Sequence, residues 1–314
     1  MKNSKTIAIG FLISLLLGAC SWGGSNSLER DNFPSGEIVV PTSFPEVLTS
    51  SSTPSPQPEI IDSPTQLSPF STPETCQSES GRIEKHQFRA NLLPAPLNYR
   101  VYLPPCYDFN LDQRYPVLYL IHGYGYNDDQ WERLGVGEIS DKLINDGEMP
   151  PILIVLPHDS DHNVQPPTNQ FGNSVIFDLV DEIDTSFRTF PARNFRAIGG
   201  LSRGGNWALH IGLTNWNTFS AIGGHSSPLF VTDGPPAVRT WLTEIPSEMF
   251  PRIFIDVGNH DKWLDHIIRF EEILDEFNVP HELYIFPGGH TEDYWGSHTE
   301  QYLRWYTMDW QPTN

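Results

Sequence analysis

Ser202 stands in Gly200-Leu201-Ser202-Arg203-Gly204, between the apolar run FRAIGG and a stretch, RGGNWALHIGL, that is patterned as a helix. A serine hydroxyl is a weak nucleophile at neutral pH. It attacks a carbonyl carbon only when a base takes its proton and a third group fixes the tautomer of that base. A G-x-S-x-G turn between strand and helix supplies the placement, because the glycines let neighbouring backbone approach while the tight turn pushes the hydroxyl outward. In that context Ser202 is a candidate nucleophile, and a simple tight turn is the alternative.

Such a turn is followed along the chain first by the acid and then by the histidine. RIFIDVGNHDKW offers Asp256, Asp261 and Asp265, and YIFPGGHTEDYW offers His290. His290 follows an apolar run and a Gly-Gly turn, from which an imidazole can reach over a sheet edge, so it is preferred as base to His260, His266, His281 and His298. Asp256 lies inside an apolar run and reads as a structural carboxylate, and Asp265 falls in the following helical pattern. Asp261 occupies the loop between them and is the preferred acid. Charge developing on a carbonyl oxygen needs backbone N–H donors. Arg203, the residue after the serine, supplies one, and the loop after PVLYLIHG supplies another at Tyr124, shaped by His122 and Gly123.

A rival chemistry lies in HDSDH, residues 158–162, where His158, Asp159, Asp161 and His162 are close enough in sequence to suggest metal ligands. No supporting ligand cluster accompanies them, so the loop is read as a solvated segment that helps to shape the pocket. Trp131, Trp207 and Trp295 are pocket candidates, with burial in the core as the other reading for each. The chemistry of Ser202 needs neither metal nor organic cofactor.

These residues need a frame. HQFRA and LNYRVYL read as early antiparallel strands. PVLYLIHG, PILIVLP, FRAIGG, SAIGG, RIFIDVG and ELYIFPG are short apolar runs bounded by Gly or Pro, suited to strands buried on both faces. Between them, Val175, Ile176, Leu179, Val180, Ile183 and Phe187 mark one helical face, and Leu264, Ile267, Phe270, Leu274 and Phe277 mark another. Strands alternating with helices imply an α/β fold whose central sheet is mostly parallel, with helices on both faces and reactive groups at the carboxyl ends of the strands.

The 314 residues carry 19 basic and 39 acidic side chains, a net charge of −20. That opposes binding to phosphate backbones, so nucleic acid is excluded as a partner. Lys2 and Lys5 precede an uncharged run, Ile7 to Ala19, too short to span a bilayer and patterned as an export signal. Its end, Leu17-Gly18-Ala19-Cys20, resembles the lipobox of bacterial lipoproteins, which implies that Cys20 is lipidated and that residues 1–20 are a lipoprotein signal peptide. In residues 41–75, 22 of 35 positions are Pro, Ser or Thr. With too little apolar surface to offset ordering entropy, 21–75 reads as a disordered tether, and 76–314 as the folded domain. With Cys20 set aside, Cys76 and Cys106 remain, and an even pair in an exported chain implies a disulfide. The membrane is then a partner only through the lipid anchor, on the outer face of the cytoplasmic membrane or in the envelope.

YPVLYLIHGYGYNDDQW, GGLSRGGNWAL, DVGNHD and PGGHTEDYW, in that order over about residues 80–314, resemble the esterase D-like esterases, a group that includes feruloyl and acetyl-xylan esterases, S-formylglutathione hydrolases, siderophore esterases and mycolyltransferases. The resemblance implies an α/β-hydrolase fold, with Ser202, Asp261 and His290 as a catalytic triad and Tyr124 with Arg203 as oxyanion donors. It further implies hydrolysis of a small-molecule or polysaccharide-borne ester, acetyl or feruloyl groups among them, through an acyl-serine. An acyltransferase using the same serine, or a surface-tethered binding protein without chemistry, are the alternatives. The lipobox and the Pro/Ser/Thr tether lie outside the shared pattern.

Overall fold

A computed structural model describes Cys76, Ser78 and residues 80–310. The expected signal peptide, Cys20 and the tether lie outside the described residues. Eight strands form one sheet in the order β1-β2-β4-β3-β5-β6-β7-β8. β1 (Arg82–Phe88) pairs antiparallel with β2 (Leu97–Leu103), and β2 pairs antiparallel with β4 (Leu153–Pro157). From β4 onward the sheet is parallel, through β3 (Val117–Ile121), β5 (Arg196–Leu201), β6 (Ala221–His225), β7 (Arg252–Gly258) and β8 (His281–Phe286).

Every residue of β3, β4, β5 and β6 is buried, as continuous apolar runs require when both faces are covered. Alternation still sorts the side chains. Val117, Tyr119 and Ile121 of β3 pack into one core and Leu118 and Leu120 into the other. The first core is closed by α3 (Phe171–Ser174), the π-helical turn Val175–Leu179 and α4 (Val180–Ser186), and by α5 (Arg203–Thr214), α6 (Pro235–Glu244) and α7 (Leu264–Glu276). The second is closed by α1 (Gln130–Arg133), α2 (Val136–Asn145) and α8 (Glu292–Thr307). The two helical faces read from the sequence are the buried ones, through Val175, Leu179, Val180 and Ile183, and through Ile267, Phe270 and Leu274. Among the described residues no helix is long and apolar enough to cross a membrane.

β8 departs from the expectation of burial on both faces. It is an edge strand with no partner on its outer side among the described residues, and Tyr284 and Ile285 are exposed. At the other edge, Cys76 is disulfide-bonded to Cys106 just after β2, closing a loop of 30 residues. In the chain-entropy account such a loop restricts the unfolded chain by about 3–4 kcal/mol.

Candidate active site

Ser202 joins β5 to α5 at φ 53°, ψ −119°, a region that non-glycine residues rarely occupy. The turn is held on both sides: the Ser202 N–H donates to the His225 carbonyl at 2.7 Å, and its carbonyl accepts from Asn206 N–H at 3.0 Å. Close packing makes the glycines necessary. A Cβ on Gly204 would lie 2.0 Å from the Ile121 carbonyl oxygen, and one on Gly200 would lie 2.3 Å from the carbonyl carbon of Gly204.

The loops after β7 and β8 are zipped to each other. Asn259 N–H donates to the Phe286 carbonyl at 2.8 Å, His260 N–H to Gly288 at 2.8 Å, and the Asn259 side chain accepts from Gly288 N–H at 3.1 Å. This brings together two residues that are 29 apart in the chain. His290 Nδ1 lies 2.8 Å from Asp261 Oδ2, and its Nε2 lies 2.8 Å from Ser202 Oγ. With an ionised Asp261, Nδ1 carries the proton and Nε2 is left to accept one from the serine. Immediately after His290, Thr291 caps α8 by accepting from Tyr294 N–H at 3.3 Å, which fixes where the imidazole leaves the chain.

The side chain of Asp261 has no solvent exposure. Burial pushes its carboxyl up, but hydrogen bonds from His290, the Trp263 N–H and Ser226, with the charge interaction with His290, outweigh that and hold it below the ordinary carboxylate range. Asp256 is the structural carboxylate expected. Wholly buried, it meets His225 Nδ1 at 2.6 Å and accepts from the hydroxyls of Tyr294 at 2.7 Å and Tyr302 at 2.8 Å. Asp265, His260 and His266 are exposed, and His281 and His298 engage their own neighbours instead.

Arg203 is the first residue of α5, where backbone N–H groups have no partner within the helix. Its side chain turns away into the core, where the guanidinium Nε donates to Asp159 Oδ2 at 2.9 Å. Trp207 Nε1 donates to the same oxygen at 2.9 Å. Tyr124 lies on the loop after β3 with its ring exposed and its hydroxyl donating to Asn163 at 2.8 Å. Buried groups hold this loop from beneath. Gln130 accepts from Gly123 N–H at 2.8 Å and donates to Glu292 of α8 at 3.0 Å, linking the Tyr124 loop to the helix that follows His290.

His122, 2% exposed, is bound at both nitrogens: Nδ1 lies 2.8 Å from the Gly123 carbonyl, and Nε2 lies 3.0 Å from the donating N–H of Asp159. The carbonyl can only accept and the N–H can only donate, so the ring must be neutral with its proton on Nδ1. Burial is the main cause that lowers its pKa from the ordinary 6.5 to about 4. The unfolded chain therefore binds a proton on this ring at a pH where the folded chain refuses it. Its contribution to stability is intact above about pH 6.5 and is lost as the pH falls from there to about 4, by ~3 kcal/mol in all. Urea unfolding at pH 7 and pH 4.5 should show that loss in the wild type, and His122→Asn should be less sensitive to acid across the same interval. The hydrogen bonding of Asp261 does not interfere, because its contribution is lost only in more acidic solution, as the pH falls below the ordinary carboxylate range.

The hydroxyl of Ser202 faces a cleft of about 510 Å³, bounded by Tyr124, Tyr126, Phe230, Trp263 and Trp295. Of the three tryptophans considered from the sequence, Trp295 lines this cleft, whereas Trp131 and Trp207 are core residues at 1% exposure each. The segment expected to help shape the pocket divides: His158, Asp159, Ser160 and Asp161 line a separate recess, with Asp159 turned under α5 as the anchor of Arg203 and Trp207, whereas His162 sets its ring edge-on to Tyr124 of the cleft wall with centroids 5.0 Å apart. The roles of Asp159, Gln130 and Ser226 escaped the sequence reading, since no spacing signal pairs Asp159 with Arg203, Gln130 with Glu292 or Ser226 with Trp295, which lie 44, 162 and 69 residues away.

The chain and its fold have counterparts among known proteins. The family described as "Putative esterase" matches residues 90–306. The endo-1,4-beta-xylanase/feruloyl esterase of Xylanibacter ruminicola is 33% identical over 135 residues, 40% of this chain and 19% of the relative. Esterase Rv1288 of Mycobacterium tuberculosis is 25% identical over 262 residues, 67% of this chain and 56% of the relative. The chain thus spans a fifth to about half of the curated relatives it matches. A solved ferulic acid esterase superposes with a TM-score of 0.65 at 25% identity, covering 73% of this chain and 99% of that one. With the match running from before β2 to the end of α8 and through every residue of the Ser202 site, the chain belongs to this esterase family.

Proposed function

We propose that the protein is a serine carboxylic-ester hydrolase that works through an acyl-serine intermediate. The carrying observation is the unbroken line from Ser202 Oγ through His290 to a buried Asp261 at the floor of an open cleft. Ser202 Oγ attacks the ester carbonyl while His290 Nε2 takes its proton, and Asp261 stabilises the imidazolium. The N–H groups of Arg203 and Tyr124 receive the developing oxyanion. As the carbonyl re-forms, the alkoxide leaves with the proton from His290. Water then attacks the acyl-serine with the same base, releasing the acid and restoring Ser202. No step calls for a metal or an organic cofactor.

The aromatic walls of the cleft suit an aryl acyl group, which favours feruloyl-type esters, and the names of the relatives point the same way. We further propose that the chain is exported and held by lipid on Cys20, with 21–75 as tether and 76–314 as the esterase domain. The Cys76–Cys106 disulfide suits an oxidising compartment outside the cytoplasm, where esters on polysaccharides are met.

A fluorophosphonate probe and a panel of acetyl, feruloyl and longer acyl esters test the reading on the full chain. The wild type should take the label and hydrolyse at least one aryl or short acyl ester. Ser202→Ala should lose the label entirely and at least about 10³ of the turnover. Folded wild-type protein that neither labels nor cleaves any of them refutes the proposal.

A further inference from the structure

Ser226, the residue after β6, is fully buried and has a positive φ of 53°. Its N–H donates to the Asp256 carbonyl at 2.8 Å. A non-glycine residue in this region is strained and persists where its surroundings hold it there. The side chain shows what those surroundings are: Ser226 Oγ accepts from Trp295 Nε1 at 3.2 Å, and its hydroxyl lies on the Asp261 carboxylate, which it helps to keep ionised. Trp295, from α8, in turn sets its ring at 83° to the His290 imidazole with centroids 4.9 Å apart. Beside the direct hydrogen bond between Asp261 and His290 there is thus a second connection, from Asp261 through Ser226 and Trp295 to the same imidazole.

We propose that Ser226 and Trp295 are positioning residues for the acid–base pair: one hydroxyl holds both the carboxylate and the indole, and the indole keeps the imidazole from swinging away from Ser202. Ser226 touches no reacting atom and is not among the cleft-lining residues, so it acts only through its two partners. The inference rests on the catalytic reading of Ser202, His290 and Asp261. An edge-to-face ring contact is weak in itself, but a misplacement of about 1 Å at the reacting atoms costs on the order of 10²-fold in rate, so the effect belongs in kcat.

The test is a double-mutant cycle in the full chain with Ser226→Ala, Trp295→Phe and the pair, assayed on 4-nitrophenyl acetate. Trp295→Phe keeps a ring against His290 and removes the N–H that Ser226 accepts. Ser226→Ala should lower kcat about 10–100-fold with KM within about twofold. Trp295→Phe should lower kcat about tenfold, and the double variant should lose no more than about threefold beyond the worse single, since both remove one link. A kcat for Ser226→Ala within about threefold of wild type, or losses that multiply in the double variant, overturns the proposal. Should Ser226→Ala fail to fold, an undiminished kcat in Trp295→Phe overturns it equally. Wild-type protein inert to both the ester and a fluorophosphonate would instead sink the catalytic reading, which separates the two failures.

Discussion

Replacing His290 by alanine should lower kcat by about 10⁴–10⁶ and shift KM far less, because the side chain contributes to the proton transfer far more than to binding the ester. Its Nε2 is 2.8 Å from Ser202 Oγ, and without it the hydroxyl keeps its proton. Asp261→Asn should cost about 10⁴ by a different route. The asparagine amide presents a donor where the carboxylate accepted, and the imidazole turns to the tautomer with its proton on Nε2, which cannot take another from the serine. Measuring both variants on one aryl ester separates absence of the base from its wrong tautomer. His290→Ala retaining a tenth of wild-type turnover would remove the residue from the mechanism.

The second large effect is on the fold. Gly204→Ala places a methyl 2.0 Å from the Ile121 carbonyl oxygen and 2.5 Å from that of His122. Both are backbone atoms that cannot rotate aside, so α5 must back away from β3. We expect destabilisation of about 3 kcal/mol or more, at the upper end of overpacking costs. Activity should vanish with it, because the displaced helix end carries both Ser202 and the Arg203 N–H. Gly125→Ala is the contrast. A Cβ there meets nothing within 4 Å, although φ is +78°. Only the left-handed backbone resists it, at about 1 kcal/mol. Chemical denaturation of the two variants checks the difference, and equal midpoints would contradict the packing account.

How much of this could be read before any coordinates follows from the range of each interaction. Local patterns carried the strands, the helical faces, the elbow at Ser202 and the loop positions of Asp261 and His290, because each is encoded within about a dozen residues. The exposure of β8 was not legible: ELYIFPG is apolar enough for a central strand, and only the order of the sheet makes it an edge. The order itself, with β4 inserted between β2 and β3, follows from crossovers that no single segment records. HDSDH is a related case: read as a solvated loop, it contains a buried Asp159 that serves an arginine 44 residues away. Ser226 left no mark either, since its partners Asp261 and Trp295 come from two other loops and helices.

The bond between Cys76 and Cys106 also governs how the domain meets mechanical load. A pull arriving from any residue before Cys76 passes through sulfur directly to Cys106 and on toward β3 in the sheet interior. The antiparallel ribbon of β1 and β2, enclosed within the covalent ring, is thereby taken off the line of tension. Unzipping this margin one ladder rung at a time, the weak response of an edge pulled from its end, is blocked for as long as the sulfur–sulfur bond holds.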